Sequence, residues 1–424
     1  MKVLIVVHDY LPDHLGGTEL HAHQVAVELQ RRGHTAVAAF TERRPDRPEG
    51  ELTEGELDGV RTIEMVHSRE YEHVRQTFQP GFSSKVFEGI LERERPDVIH
   101  FHHLAFWGAE CLSVARRLGI PVVVTLHDYW TICDAATLLK KNGDVCTAGP
   151  KRQCSECIEW YPYPHNHPDS RLFRYRFREE LRARFELHEH HLKHVPVVIA
   201  PSRFLIDKLI EAGLIVEAQA KVLKTGYPGE RRPARVAPAD GPLRLGYVGG
   251  IYESKGVHVL VEAMGHLQEM GVPATLEIFG ILEWFPDYVE RLRAMSEGLP
   301  VEFKGRYEPD QVDQVLDRFD ALVVPSVWYE NMPITIHEAF RNGLPVLASD
   351  FGGMAEAVKE GQGGRLFPRG DARALARMVA ELHADRGQLE KLAAARPPIP
   401  ELTEVVDELL RVYARVQTNA EVNA

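Results

Sequence analysis

The sequence predicts an α/β protein built from two doubly wound domains, each around a parallel sheet. Three observations carry this reading. Short apolar runs rich in Val and Ile recur along the chain, amphipathic stretches ending in Gly lie between them, and an aperiodic Pro- and Arg-rich segment at 227–242 divides the pattern in two. Runs that are apolar on both faces suit strands of a covered parallel sheet. Gly tolerates the left-handed stop of a helix. Strand and helix in alternation, repeated twice over, specify two doubly wound units.

The elements follow in order. "KVLIVV" (2–7) has five apolar residues after Lys2 and before His8 and Asp9, too short for a signal-peptide core, and no small-residue cleavage site follows. It reads as a buried first strand. "TELHAHQVAVELQRRG" reads as the first amphipathic helix, followed by the runs "TAVAAF" (35–40), "DVIHF" (97–101), "PVVVTL" (121–126) and "PVVIA" (196–200). "WGAECLSVARRLG" is helical and places Cys111 in the core. A stretch of about 130–195 has the look of an insertion, with a Cys cluster and a long Arg-rich helix. The segment 227–242 holds four prolines and reads as a linker. The second series is "LRLGYV" (243–248), "ATLEIF" (274–279), "VEFKG" (301–305), "ALVVP" (321–325) and "PVLAS" (345–349). "PIPELTEVVDELLRVYARV" (398–416) reads as a terminal helix entered through prolines. The predicted division is 1–226, 243–397 and a helical tail, 398–424.

Composition bounds the function. Among 424 residues, 62 are acidic and 50 basic, a net charge of −12 that argues against a general nucleic-acid binder. With 44% hydrophobic and 26% charged residues the chain is an ordinary globular one, not a disordered or fibrous one. No apolar run approaches the roughly 20 residues that span a bilayer. Five cysteines are too sparse for a secreted disulfide scaffold. The chain reads as cytoplasmic.

Open parallel sheets bind ligands beyond the carboxyl ends of their strands. The residues there are His8, Asp9 and Tyr10, then Gly16 and Gly17; His102 and His103; and His127 through Trp130. The second half adds Gly249, Gly250, Lys255, Gly280, the stretch Ser326 to Pro333, and Asp350, Gly352 and Gly353. Polar, Gly-rich, His-bearing ends in both halves point to one cleft between facing domains. "VGGIYESKG" lacks the residue order of a P-loop, and no G-x-G-x-x-G follows the first strand, so a dinucleotide dehydrogenase is poorly supported. Lys255 at the opening of a helix suits a diphosphate, or is a solvated charge. Glu330 and Glu338 stand with seven residues between them, and Pro333 suits the first helical position. Backbone N–H groups from Met332 to Thr335 then face a positive helix end. A carboxylate on each side can accept from sugar hydroxyls, although two glutamates near a helix start are more often solvated charges.

The combination resembles glycosyltransferase family 4, retaining nucleotide-sugar transferases of the GT-B fold. The matching pieces are "HDYLPDHLGGTELHAHQVAVELQRRGH", "VTLHDYW", "VIAPSRFLIDKLIEAG", "YVGGIYESKGVHVLVEAM", "ENMPITIHEAF" and "ASDFGGMAEAV", in family order across most of residues 1–385. The resemblance implies two Rossmann-like domains, the first on the acceptor side and the second binding the nucleotide sugar, with the terminal helix packing back on the first. It implies Glu338 at the ribose hydroxyls, Glu330 at the transferred sugar, Lys255 at the leaving diphosphate and His127 at the reacting centre. Gly16 and Gly17 match the N-terminal glycine loop beside donor phosphates and acceptor. Gly249, Gly250, Asn331, Met332 and Pro333 complete the expected donor site. The family often has an arginine where this chain has Gly250, so Lys255 carries more of the phosphate charge unless an arginine such as Arg203 reaches in. The implied donor is a UDP- or GDP-sugar, with no organic cofactor. The implied acceptor is a hydroxyl of a glycan, a lipid-linked glycan or a small molecule, in polysaccharide or glycoconjugate biosynthesis. No D-x-D triplet occurs, which suits metal-independent chemistry with protein cations in place of Mg²⁺. The rival readings are a GT-B sugar phosphorylase or nucleotide-sugar epimerase, and a non-catalytic nucleotide-sugar-binding scaffold.

Three features stand outside that constellation. Cys133, Cys146, Cys154 and Cys157 have the spacing C-x12-C-x7-C-x2-C, which fits a structural zinc site; an iron–sulfur cluster, disulfides or thiols are the other readings. Arg171, Arg174, Arg178 and Arg182 form a stripe on one helix. The stripe is either solvated and paired with Glu179, Glu180, Glu186 and Glu189, or a peripheral membrane contact. His188, His190, His191 and His194 share that helix without making H-E-x-x-H, because Leu192 breaks the pattern, and they read as surface residues. His102 and His103 read equally as core or acceptor contacts.

Overall fold

Val3, Leu4, Ile5 and Val6 have at most 1% of their surface exposed, so the first strand, β1 (Lys2–Val6), is covered on both faces. It lies in an eight-stranded sheet of order β3-β4-β2-β1-β5-β6-β7-β8. The chain reaches that sheet through α1 (Gly17–Arg31), β2 (Thr35–Arg43), β3 (Leu52–Leu57), β4 (Val60–His67), α2 (Arg75–Phe78), α3 (Ser83–Glu94) and β5 (Val98–Phe101). It continues through α4 (Glu110–Arg117), β6 (Val122–Thr125), α5 (Arg171–Leu192), β7 (Val197–Ala200), α6 (Arg203–Glu211) and β8 (Ala220–Val222). All pairings are parallel except β3 with β4, a hairpin closed by Asp58 and Gly59 with φ of 49° and 77°. An Asp-Gly pair with both φ positive is the turn that matches strand twist.

The second sheet has seven parallel strands in the order β11-β10-β9-β12-β13-β15-β14. Its elements are β9 (Leu243–Val248), α7 (Val257–Glu269), β10 (Ala274–Phe279), α8 (Pro286–Met295), β11 (Val301–Gly305), α9 (Val312–Leu316) and β12 (Ala321–Val324). Then come α10 (Ile334–Arg341), β13 (Val346–Ser349), α11 (Gly353–Ala357), β14 (Lys359–Glu360), β15 (Gly363–Phe367), α12 (Ala372–Ala384) and α13 (Gly387–Ala394). One core, with Leu245, Tyr247, Leu260 and Val379, covers one face of this sheet; another, with Phe319, Leu322, Ile336 and Val346, covers the other. The chain ends in α14 (Leu402–Asn423), whose Val405, Val406, Leu409, Val412 and Tyr413 pack with Val3, Ile5 and Val7 and with α1.

This computed structural model describes residues 1–67, 74–140, 142–147, 154, 171–227 and 229–423. The chain divides into unit 1, Met1–Gly226 with Leu402–Ala424, and unit 2, Tyr227–Glu401. The Pro-rich segment 227–242 is tied to unit 2: Arg232 N–H donates to Arg341 O, Arg235 N–H to Gly343 O, and the Arg235 guanidinium to Leu316 O and Phe319 O. Among the described residues no helix is long and apolar enough to cross a membrane.

Candidate active site

Each sheet has one point where strand order reverses, between β1 and β5 in unit 1 and between β9 and β12 in unit 2. Connections there leave toward opposite faces and open a crevice at the strand ends. Most of the predicted site residues stand at these two places.

In unit 2, β9 ends in Gly249 (φ 151°) and Gly250, and a 3₁₀ turn, Glu253–Lys255, precedes α7. Lys255 therefore lies just before the helix and not inside it. Gly256 caps α7 in the left-handed region (φ 69°), and a Cβ there would sit 2.0 Å from Pro325 O. Only glycine lets the turn after β9 press against the end of β12. That contact brings Lys255 to Glu330: Lys255 Nζ lies 2.6 Å from Glu330 Oε1. Ser326 Oγ and Trp328 Nε1 donate to the same oxygen, each at 2.8 Å. The Lys255 ammonium also lies 5.3 Å from the Trp328 ring and 5.8 Å from the Tyr252 ring. Burial works against the Lys255 charge, yet Glu330 and Tyr252 outweigh it and raise its pKa above the usual lysine value.

Pro333 is the cap of α10 and not its first helical residue, because its ψ of 119° is extended; the helix begins at Ile334. Glu338 lies in the second turn of α10, 8% exposed, and Tyr227 donates a hydroxyl hydrogen bond to its Oε1. Burial raises the Glu338 carboxyl above its usual range, against the lowering pull of Tyr227 and Arg341. Arg341 in turn lies 4.9 Å from the Tyr227 ring. Asn331 is buried and Met332 half-buried in the loop before α10. A Cβ at Gly353 would meet Asn331 O at 1.5 Å, and Gly353 N–H donates to Glu330 O at 2.7 Å, so the Gly352–Gly353 turn clamps this loop from behind.

In unit 1, His127 follows β6 and stands against an imidazole array. His102 Nδ1 and His127 Nε2 are 3.1 Å apart, and the His21 ring lies 5.5 Å from His127 and 5.6 Å from His102. His100 bridges Tyr413 OH and Thr125 Oγ1, each at 2.7 Å. Burial pushes His21 down to about 4 and His100 to about 3, and lowers His102 and His127 well below the ordinary value. His127 is thus a neutral hydrogen-bonding group, not a cation. Gly16 and Gly17 are exposed at the N-terminus of α1, with the Glu19 side chain folded over Gly16. His8 Nε2 lies 3.2 Å from Glu19 Oε1 and 3.6 Å from Asp9 Oδ2.

Other expectations need correction. Among the described residues, His8, Asp9 and Glu19 alone bring three ligand atoms within 4.8 Å of one another; Cys133, Cys146 and Cys154 do not converge. Cys133 closes a turn onto Tyr129 O, and Cys146 bonds Leu138 O beside the Leu139–Val145 bridge, so local backbone pairing fixes each one. Cys157 lies outside the described residues, and no thiolate zinc site is assembled by the rest. His188 and His191 are buried, not on the surface, because α5 turns that face inward: His188 meets Trp130 edge-on at 4.9 Å, and His191 Nδ1 lies 2.9 Å from Ser113 Oγ. Arg184 on the same face is 1% exposed, pairs with Asp134 and covers the Trp130 ring at 4.2 Å. Arg182 instead faces solvent and pairs with Glu186, while the side chains of Arg171 and Arg174 lie outside the described set. Arg203 holds Glu217 through two nitrogens, at 2.6 and 2.7 Å, and also Asp207. Sequence reasoning missed Tyr227, Ser326 and Trp328 as partners of the two glutamates. Ser326 and Trp328 lay inside a stretch already singled out, whereas nothing local marked Tyr227.

A family model described as Glycosyltransferase Family 4 matches residues 15–231, and one described as Glycosyl transferases group 1 matches residues 242–385. The chain is 24% identical over 411 residues to a glycogen synthase of Mycobacterium tuberculosis (strain H37Rv), spanning 93% of this chain and 89% of that one. It is 28% identical over 428 residues to a GDP-mannose-dependent alpha-mannosyltransferase of Mycobacterium tuberculosis (strain CDC 1551), spanning 98% and 97%. Among solved structures, Anabaena Alr3699/HepE in complex with UDP and glucose superposes with a TM-score of 0.66 at 17% identity, covering 98% of this chain and 99% of that one.

Proposed function

The chain belongs to glycosyltransferase family 4 and has the GT-B fold, and from that premise we propose that it transfers a sugar from a nucleotide-sugar donor to a hydroxyl acceptor with retained anomeric configuration, in polysaccharide or glycolipid biosynthesis. The observation that carries the reading is the Lys255–Glu330 pair at the strand-order reversal of unit 2.

The assignment of roles follows from chemistry. A diphosphate leaving group develops negative charge as its bond to the sugar breaks, and a fixed cation beside it stabilises that charge most where water is excluded. Lys255 supplies the cation. The described hydrogen bonds of Glu330 all use Oε1, which leaves Oε2 to accept from a hydroxyl of the transferred sugar. Glu338, an acceptor at the start of a helix, takes the ribose hydroxyls. His127, neutral and anchored by His102, donates to or accepts from the sugar at the reacting centre. With no protein nucleophile assigned, the departing phosphate takes the proton of the attacking hydroxyl. A protein cation in the place of a divalent ion makes the reaction metal-independent.

What the relatives are named for supports a nucleotide-sugar donor: one is GDP-mannose-dependent, and another was solved with UDP and glucose. A thermal-shift panel of UDP, GDP, UDP-glucose and GDP-mannose tests the proposal. A bound nucleotide at 100 times Kd stabilises by about 2.7 kcal/mol, several degrees in Tm. A panel in which no nucleotide moves the melting point refutes it. With the donor identified, NMR of the product linkage before mutarotation reads retention against inversion.

A further inference from the structure

The loop between β10 and α8 presents Trp284 at 63% and Phe285 at 48% exposure. These two line a cavity of about 350 Å³ together with Tyr288, Glu253, Asp287 and Arg291. Single exposed apolar residues need no explanation, but adjacent aromatic rings rimmed by polar groups mark a binding surface. The volume falls at the lower end of the range for small-molecule sites, roughly 300–1,000 Å³. The core of unit 2 does not use these two rings; it takes Tyr288, Val289 and Leu292 from the inner face of α8.

The charge around the rings selects the ligand. Glu253 and Asp287 line the cavity with the aromatic pair, and the one cation lining it, Arg291, already pairs with Glu253 at 2.8 Å. An anionic lipid surface or a phosphate ester meets net repulsion there. A neutral polyol does not: ionised carboxylates only accept and hydroxyls donate. The C–H face of a pyranose ring is apolar and faintly electropositive, which matches the negative face of an indole or phenyl ring. The cavity lies close to the candidate donor site through intervening side chains: the Phe285 ring is 5.5 Å from the Tyr252 ring, and the Tyr252 ring is 5.8 Å from the Lys255 ammonium.

We propose that the loop 281–287, with Glu253 and Arg291, is a subsite for a neutral oligosaccharide, whose sugar faces stack on Trp284 and Phe285 while its hydroxyls bond to Glu253 and Asp287. The bound glycan is the acceptor or the growing product, a clause that rests on the transferase reading; the binding itself does not.

Affinity electrophoresis of the full chain through gels containing glycogen or yeast mannan reads this directly. The parent chain is retarded by at least one of these neutral polysaccharides. Trp284→Ala weakens that binding about tenfold or more, the scale of one lost aromatic stack with its hydroxyl contacts, while Trp284→Phe keeps most of it. The exposed position makes misfolding of these variants avoidable, and an unchanged nucleotide-induced thermal shift in both separates the subsite from the donor site. Trp284-dependent retardation in a chain that no nucleotide stabilises upholds the subsite even as the transferase reading fails. Absence of retardation in both gels, equal retardation of Trp284→Ala, or Trp284-dependent sedimentation with phosphatidylglycerol vesicles overturns it.

Discussion

Lowering the pH from about 7.5 to about 5.5 loads unit 1 in a calculable way, because a histidine buried as the neutral form binds its proton only after unfolding. In unit 1, His21, His67 and His191 are pushed down to about 4 and His100 to about 3, in each case chiefly by burial. All four are at most 8% exposed. The sign is fixed: these folded values lie below the unfolded value near 6.5, so the stability is present above that value and drains away as pH falls toward the folded one. At about pH 5.5 each group costs about 1.4 kcal/mol relative to neutral pH, roughly 4–6 kcal/mol for the four once their coupling is allowed for. His8, His102, His127 and His188 are lowered too and act in the same direction. Asp9 and Glu19 titrate the other way, since burial raises them and protonation then favours the fold, which offsets part of the loss in the most acidic samples. For a unit of about 250 residues, 4–6 kcal/mol corresponds to a fall in Tm of roughly 10–20 °C. In unit 2 the pKa of His258 is lowered, chiefly by burial, and fewer groups with a lowered value make it lose less. Calorimetry at the two pH values, with hydrogen exchange of 98–101 and 243–248 to assign the transitions, measures this. Transitions that fall together, or a unit 2 transition that falls first, refute the view of the array as neutral imidazoles.

Two substitutions test the site in unit 2. Lys255→Ala should lower turnover about a hundredfold or more, the scale of a lost donor to developing transition-state charge; kcat within a few fold of the parent removes Lys255 from the phosphate. Glu338→Gln keeps an acceptor for Tyr227 and removes a buried charge. Because burial raises the folded pKa of Glu338, the parent loses stability as pH rises through that value, so the variant should be at least as stable at neutral pH and gain on the parent from acid to neutral. Its nucleotide affinity should fall about 10–100-fold, as charge-assisted hydrogen bonds become neutral ones; calorimetric titration showing no loss takes Glu338 away from the nucleotide.

How much of this was readable from sequence depended on the range of the physics involved. The parallel strands announced themselves because burial on both faces demands continuous apolar runs, as in Val3 to Val6. The β3–β4 hairpin did not, since β3 is a largely exposed edge strand with the sequence "LTEGEL"; the Asp58–Gly59 turn was the signal that could have found it. The glutamates and Lys255 stood out through their spacing and their positions at strand ends. Tyr227 could not, because it reaches Glu338 across 111 positions from a segment whose composition spoke only of a linker. The α5 helix misled for a related reason. Its charge density suits a solvated helix, yet Arg184, outside the stripe, is buried with Asp134 and the Trp130 ring, a pairing that only tertiary packing supplies. The cysteine spacing suits a closed metal site, whereas Cys133 and Cys146 are each fixed by a local backbone pairing and no three of the described cysteines bring their sulfurs together.

Gly250 stands where the resemblance often places an arginine, and the other arginines considered for the phosphate are engaged elsewhere. Arg203 belongs to unit 1 and holds Glu217 and Asp207, so recruiting it to a phosphate breaks a two-nitrogen carboxylate contact. Arg369, in unit 2, donates Nε–H to Val327 O and lies 5.0 Å from the Phe351 ring, which stacks on Tyr329 at 4.4 Å; it braces the loop that carries Glu330. On the proposed reading Lys255 meets the diphosphate, and its partner keeps the exchange from costing much. Glu330 Oε1 accepts from Ser326 and Trp328 as well as from Lys255, so when the ammonium turns toward phosphate the carboxylate keeps two neutral donors and is not left bare. A buried carboxylate stripped of every partner costs several kcal/mol, and two retained hydrogen bonds remove most of that cost. On the proposed reading, then, the Ser326–Trp328 pair is what allows one lysine to serve both the resting carboxylate and the leaving phosphate in a chain with glycine at position 250.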